Sequence, residues 1–253
     1  MTTAAAAFHD HFSAVAADYA SARPEYPVDL FAWIASVAPA PGLAWEAGCG
    51  SGQASRGLAS VFARVHATDP SAAQVAQATG PANMHFAVEP GERCSLDDGS
   101  ADAGCVAQAL HWFRRDDYFA ECARVLRPGG VLVAWGYQDI VVPDALADAN
   151  AALQRRIAAH WPPERRLVDE GYAGFDWPFP AIEAPCFEMR AHWTLPRLLA
   201  YFASYSASQR CREATGKDPV AAHAADLANA WGDPGVAREV SWPLFVHARR
   251  KPA

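Results

Sequence analysis

Between Leu43 and Asp69 the chain reads as an apolar strand, a glycine-rich turn, a helix and a second strand that closes on an acid. The turn is Glu46-Ala47-Gly48-Cys49-Gly50-Ser51-Gly52, and the second strand runs from Val61 to Thr68 before Asp69. A strand that enters several glycines and then a helix lets backbone approach a bulky ligand, because Gly has no Cβ to collide with it. An acid at the tip of the next strand stands where a carboxylate accepts two hydrogen bonds from a ribose diol. Asp69 also suits a helix N-cap with Pro70 in the first turn. The glycine turn upstream favours the nucleoside role.

The rest of the chain agrees with a parallel sheet covered on both faces. Further strands are expected at Met84 to Val88, Ala103 to Gln108 and Val131 to Tyr137, with the first two at Leu43 to Ala47 and Arg64 to Thr68. Helices are expected between them at Gln53 to Ser60, Ser71 to Ala78 and Asp116 to Leu126. Arg127-Pro128-Gly129-Gly130 reads as a turn, Pro setting the first position and Gly supplying positive φ. Upstream, Phe8 to Tyr19 has helical spacing, prolines at 24 and 27 break it, and Asp29 to Val37 resumes. After Tyr137 the alternation stops. Asp144 to His160, Pro196 to Cys211 and Val220 to Trp231 read as helices, Tyr172 to Pro185 as a loop, and Cys186 to Trp193 as a strand. A last strand, Glu239 to Ala248, contains Pro243, which places it near the sheet margin.

At 253 residues and 51% hydrophobic composition the chain buries a full core as one domain with elaborations. Its formal net charge of -7 argues against duplex nucleic acid as a partner. Arg155-Arg156, Arg165-Arg166 and Arg249-Arg250-Lys251 read as solvated surface charge. The cysteines (49, 94, 105, 122, 186 and 211) form no CxxC pair and have no clustered His, so a reduced, cytoplasmic protein without a metal site is expected. Met1 to Ala7 lacks the pattern of a signal peptide, and no stretch approaches the roughly twenty apolar residues that cross a bilayer.

Two nucleoside readings compete. A nicotinamide-binding turn has the spacing G-x-G-x-x-G with an acid about twenty residues on. Asp69 fits that spacing, but the third glycine comes one place early at Gly52, and Gln53 stands where close helix packing needs Gly. Glu46 at the end of the first strand would repel a pyrophosphate, whereas it suits a ligand that carries an ammonium and a sulfonium.

The turn resembles motif I of the class I S-adenosylmethionine-dependent methyltransferases. Three further segments resemble their type 11 subgroup: Tyr19 to Pro27, Gln108-Ala109-Leu110-His111-Trp112-Phe113, and Arg124 to Gly130. Within that subgroup the chain looks like the trans-aconitate methyltransferase-like enzymes, most clearly over Phe8 to Tyr137. The resemblance implies a Rossmann-like α/β fold: a mostly parallel seven-stranded sheet with an antiparallel C-terminal strand and a helical cap. It implies one methyltransferase domain spanning 1–253, with lid helices at 1–42, a cofactor-binding core at 43–137, cap elements at 138–185 and 194–238, and last strands at 186–193 and 239–248. It implies S-adenosylmethionine as cofactor and S-adenosylhomocysteine as product. Gly48, Cys49 and Gly50 would present backbone to its methionine part, Glu46 would hold the turn and face the ammonium, and Asp69 would accept from the ribose with Pro70 beside the adenine. Arg23 would pair with the cofactor carboxylate or close the entrance, with Tyr19 and Tyr26 as a lid, and Gln108 would lie near the reacting methyl. Where relatives carry an acid two places before the Glu of the third-strand loop, this chain has Pro90. Glu92 or Glu89, with the backbone of Gly91 and Arg93, are then left to meet the adenine.

The substrate expected is a small acidic or aromatic metabolite rather than a polymer, because the inserted part from Asp144 to Trp231 is rich in arginine and aromatics. His111 and Trp112 follow a strand at the edge where open sheets bind ligands, and Trp177 sits in a loop as a wall candidate. A carboxylate acceptor needs no general base, while a phenol or hydroxyl wants one, with His111 nearest. His111 equally suits a core histidine satisfied by a carbonyl. A catalytically silent binding or scaffold module is the alternative from another class.

Overall fold

The computed structural model describes residues 24–253, so the expected helix at Phe8 to Tyr19 and the candidates Tyr19 and Arg23 lie outside the described residues. The expected alternation is present. Strands β1 (Leu43–Ala47), β2 (Arg64–Asp69), β3 (Met84–Val88), β4 (Ala101–Ala107) and β5 (Leu126–Tyr137) pair in parallel in the order β3-β2-β1-β4-β5. Helix α1 (Val28–Val37) leads into β1, and α2 (Gln53–Ala59), α3 (Ala72–Gln77) and α4 (Arg115–Val125) lie in the crossovers β1–β2, β2–β3 and β4–β5. From β1 the chain steps outward to β2 and β3, then returns to the other side of β1 as β4. The carboxyl ends of β1 and β4 therefore flank the point where the strand order reverses, the crevice in which open α/β sheets bind ligands.

Period-two alternation distributes the strand side chains between two cores. Val131, Val133 and Trp135 of β5 pack with Leu30 and Ile34 of α1 and Leu58 of α2. Leu132 and Ala134 pack on the opposite face with Tyr118, Cys122 and Val125 of α4. The expected Arg127 to Gly130 turn is absorbed into β5 as a bulge. Leu126 pairs with Ala101, Val131 with Ala103, and Gly129 takes φ 77° between them.

Among the described residues the sheet has eight strands rather than the expected seven. The outer partner of the last strand is split into β6 (Ala181–Ile182) and β7 (Phe187–Trp193), with Pro185 in the gap, where it removes a ladder donor. The last strand, β8 (Arg238–Arg250), is also not marginal. It runs antiparallel to β5 through Leu244 to Arg250 and to β7 through Arg238 to Leu244, while Ala248 and Arg249 meet β6. Pro243 is tolerated because of where its missing donor points. Ser241, two residues earlier and so facing the same way, exchanges hydrogen bonds with Val141, and pairing with β5 starts only at Leu244. Pro243 thus faces the gap between that bridge and the β5 ladder.

Beyond the carboxyl edge, Met189 and Trp193 of β7 and Val240 and Trp242 of β8 continue as a ribbon that seats a third core. Onto it pack α5 (Ala147–Ile157), α7 (Leu195–Ala203), α8 (Ser206–Thr215) and α9 (Pro219–Trp231). Trp242 Nε1 donates to the Tyr201 hydroxyl at 2.9 Å inside this core. The single helix expected at Pro196 to Cys211 is two helices. Ser204 Oγ donates to Tyr201 O at 2.6 Å, Ser208 Oγ donates to Phe202 O at 2.8 Å, and Tyr205 is extended at ψ 133°. Serine hydroxyls that bond nearby carbonyls offer the backbone an alternative to continuing a helix.

A short helix, α6 (Arg165–Asp169), appears where none was expected. It explains why the Arg165-Arg166 pair does not behave as one unit. The Arg166 side chain is 76% exposed, but that of Arg165 is only 13% exposed and is tied to Asp139 at 3.0 Å and Asp169 at 2.6 Å, with Trp161 under its guanidinium. Among the described residues no helix is long and apolar enough to cross a membrane.

Candidate active site

The glycine turn and Asp69 meet at the end of β1. Asp69 Oδ2 accepts the Gly50 N–H at 2.9 Å, and Oδ1 accepts the Ser71 N–H at 2.9 Å. One carboxylate thus ties the turn after β1 to the turn after β2. The N-cap of α3 is Ser71, whose hydroxyl accepts from Gln74 N, so capping that helix is not the role of Asp69. The Cys49 N–H donates to Thr68 O at 2.9 Å and completes the junction. Burial pushes the Cys49 thiol far above its ordinary range, so this residue offers backbone rather than a nucleophile.

Two glycines have different reasons to be there. Gly48, at φ 70°, is pressed by its neighbours: a Cβ would stand 2.7 Å from Ala109 Cβ and 3.0 Å from Phe113 Cζ. Gly50, at φ 54°, meets only Gln74 Oε1, at 3.9 Å from where a Cβ would stand, among the described residues. The first fixes how closely the β4 loop approaches the turn. The second leaves a stretch of backbone beside Asp69 that no described residue covers closely, a cradle that a side chain would fill.

Glu46 is 1% exposed, and its Oε2 accepts a hydrogen bond from Ser55 Oγ of α2. Burial raises its pKa from 4.5 to about 8, the Ser55 hydroxyl partly opposing and the nearby Asp69 charge adding to the rise. The carboxyl is therefore held protonated at neutral pH and links β1 to α2 as a neutral hydrogen-bonding group. Gln53, the residue that breaks the nicotinamide pattern, donates from Nε2 to Pro24 O and anchors the start of the described chain beside the turn.

On the β4 side, Gln108 takes the left-handed conformation at φ 51°. Its side-chain amide donates to Tyr137 O at 3.0 Å and accepts from Tyr137 N at 2.9 Å, while its own N–H donates to Trp135 O at 2.8 Å. The amide extends the β4–β5 ladder by one step at the carboxyl edge. His111 and Trp112 follow in a single 3-10 turn, with ring centroids 4.8 Å apart and both side chains half-buried. His111 Nδ1 lies 3.0 Å from the Tyr172 hydroxyl. Tyr26 is half-buried and packs edge-on to Trp135 at 5.8 Å.

Other candidates are placed elsewhere. Glu92 accepts the Arg114 N–H at 2.7 Å and so caps α4, and Arg93 reaches Glu121 of α4 at 3.9 Å. Glu89 is nearer: its N–H donates to Asp69 O at 3.2 Å, while its carboxylate holds His66 at 3.0 Å and Ser95 N at 3.1 Å. Pro70 is half-buried directly after Asp69. Trp177 lies on the face of the sheet, stacked on His247 at 4.8 Å, beside Phe119 and under Arg249. His247 and Arg249 pair with Ala134 and Leu132, several residues before the carboxyl edge of β5 at Tyr137. Ser55 and Tyr172 went unnoticed in the sequence. Tyr172 meets a residue 61 positions away, and Ser55 meets Glu46 across the glycine turn, and no residue pattern announces either pairing.

Comparison with known proteins places this geometry in a family. A family model described as a methyltransferase domain matches residues 45–134. A solved structure described as a type II methyltransferase from Anaeromyxobacter dehalogenans is 43% identical, covers 91% of this chain and 99% of that chain, and superposes with a TM-score of 0.87. A Dictyostelium discoideum protein named as a methyltransferase is 29% identical over 83% of this chain and 82% of its own length. An uncharacterized methyltransferase of Mycobacterium tuberculosis H37Rv is 34% identical over 51% of this chain and 53% of its own length. A glycine turn joined to an acid at the β2 tip, at the switch point of this sheet, and a match of this extent lead to one conclusion: the chain belongs to the class I S-adenosylmethionine-dependent methyltransferases.

Proposed function

We propose that this methyltransferase acts on a small acidic or aromatic metabolite, in the manner of the trans-aconitate methyltransferase-like enzymes it resembles. The observation that carries the cofactor half of this reading is the Asp69 carboxylate, which joins the turns after β1 and β2 beside a Gly50 backbone that no described residue covers closely. That cradle fits a nucleoside with an amino-acid tail. In this reading the backbone of Gly48, Cys49 and Gly50 holds the methionine part, Asp69 accepts from the ribose hydroxyls, and Pro70 packs beside the adenine. Glu46 is the group available to an ammonium. Its buried proton is then released on binding, because a nearby positive charge favours the ionised carboxyl. Glu89, already bonded to Asp69 through its backbone, is better placed than Glu92 to approach the adenine.

When bound, S-adenosylmethionine supplies a methyl group on a sulfonium, which an acceptor displaces in line. The protein's contribution is alignment and exclusion of water. His111, Trp112 and Tyr26 border the acceptor space in this reading, and the core seated on the β7–β8 ribbon shapes its roof. A carboxylate acceptor arrives with its lone pair free, so no side chain has to remove a proton. The chain is read as one domain acting on a small-molecule substrate, without nucleic acid or membrane.

Isothermal titration with S-adenosylmethionine, S-adenosylhomocysteine and NAD tests the cofactor half, with Asp69→Ala as control. About micromolar binding of the first two, weakened tenfold or more in the variant, is expected. Binding of NAD instead, or unchanged affinity in folded Asp69→Ala, would sink it. Screening di- and tricarboxylates against phenols for methyl uptake tests the acceptor half.

A further inference from the structure

On α3 the burial pattern runs against hydrophobicity. The buried residue of this helix is Gln74, 9% exposed, while Val75 beside it is only half-buried and the other four residues face solvent. A polar side chain that takes the interior position over a neighbouring apolar one breaks the local rule, and such breaks mark functional sites. Long helical side chains lean back over the preceding turn, which here leads to Ser71 and Asp69. Gln74 Oε1 lies 3.9 Å from where a Gly50 Cβ would stand. The Gln74 side chain therefore borders the cradle of Gly50 and Asp69 from the β2 side, as the glycine turn does from the β1 side.

The main-chain N–H of Gln74 is spent on the Ser71 hydroxyl at 3.3 Å, but its side-chain amide has no hydrogen-bond partner among the described residues. The small part of the residue that stays accessible includes this amide, because neither of its atoms is among those sealed off without a partner. Removing an amide from water without compensation costs free energy that a hydrocarbon of the same length would not incur. A half-turn of the last torsion exchanges the oxygen for the NH2 group, so either can face what enters the cradle.

We infer that Gln74 is a cofactor-binding residue whose side-chain amide donates a hydrogen bond to a ribose hydroxyl oxygen of the nucleoside held at the Gly50–Asp69 cradle. Each ribose hydroxyl has one hydrogen to give and lone pairs to fill, and a carboxylate serves only the hydrogen. With Asp69 as the acceptor, the hydroxyl oxygens still need a donor, which Gln74 brings from the adjoining helix. Removing a hydroxyl from the ligand then leaves two protein groups unmatched instead of one, which sharpens the preference for ribose over deoxyribose. The nucleoside in this inference rests on the function proposed above; the burial and direction of Gln74 do not.

Isothermal titration of S-adenosylhomocysteine and its 2′-deoxy and 3′-deoxy analogues into the unaltered protein and Gln74→Met tests this, since methionine keeps the length of the side chain and carries no donor. S-adenosylhomocysteine is expected to bind the variant about tenfold or more weakly, with the far-ultraviolet circular dichroism retained. The analogue that lacks the hydroxyl met by the amide is expected to bind both proteins within about twofold. Gln74→Glu, which keeps the shape but when ionised only accepts, is expected to weaken S-adenosylhomocysteine as well, and it carries the test if Gln74→Met does not fold. Unchanged affinity in the folded variant overturns the inference. So does an equal loss for S-adenosylhomocysteine and both analogues, which would place the action of the amide away from the ribose. In either of those results the unaltered protein still binds S-adenosylhomocysteine; absence of that binding would strike the proposed function itself, and this inference with it.

Discussion

Glu46→Gln isolates the energetic consequence of burying an acid between β1 and α2. The carboxyl is 1% exposed, and burial lifts its pKa from 4.5 to about 8. Below pH 4.5 both folded and unfolded chains carry the proton, and the contribution to stability is fully present. As pH rises from there the unfolded chain gives up the proton while the fold retains it, so stability falls, and the loss levels off above about pH 8. The slope is at most about 1.4 kcal/mol per pH unit and flattens toward pH 8, so roughly 2.5 kcal/mol is lost between about pH 5.5 and about pH 7.5. Glutamine keeps the shape and accepts the Ser55 hydroxyl, but it does not titrate. Urea unfolding of the cofactor-free protein and the variant at both pH values cancels every other titrating group. The variant is expected to gain roughly 2–3 kcal/mol on the unaltered protein over that interval, or about 5–10 °C in melting temperature for a chain of this size. An offset that is the same at both pH values would mean that Glu46 is ionised in the fold, and the burial argument would be wrong.

Two further substitutions test how the carboxyl edge is held. Gly136→Ala places a Cβ 2.4 Å from Gln108 Oε1 and 2.6 Å from Phe245 Cζ, so the Gln108–Tyr137 pairing must break or β8 must shift; a loss of about 1–3 kcal/mol in urea unfolding is expected, and an unchanged midpoint would show that the clasp contributes nothing. Arg165→Ala leaves Asp139 and Asp169 without their shared partner and uncovers Trp161. A loss of about 1–3 kcal/mol is expected, only partly restored by Arg165→Lys because a point charge cannot reproduce two directed bonds and a stacked plane; full restoration by lysine would refute that geometry.

The amino-acid sequence by itself determined the parallel half of the fold and the glycine turn that meets an acid at its carboxyl edge. β1 to β5 appear within a few residues of where apolar runs and turn residues put them, because a strand covered on both faces is a continuous apolar word and a glycine–helix junction is a local one. Gly48, Gly50 and Asp69 belong to that local grammar, and they meet as their spacing implied. Tertiary structure alone decided the rest. The interior position of β8 follows from Ser241, Val141 and Pro243 facing one gap, which single-strand propensity does not encode. The break at Ser204 and Tyr205 is set by side-chain hydroxyls that choose between carbonyls. Glu46 and Ser55 are close in sequence, but only burial makes the acid neutral. Gln108 and Tyr137, and His111 and Tyr172, are brought together by the closing of the sheet and the folding of α6 over its face. Their pairing depends on distances between segments that share no periodicity, which is why the sequence does not announce it.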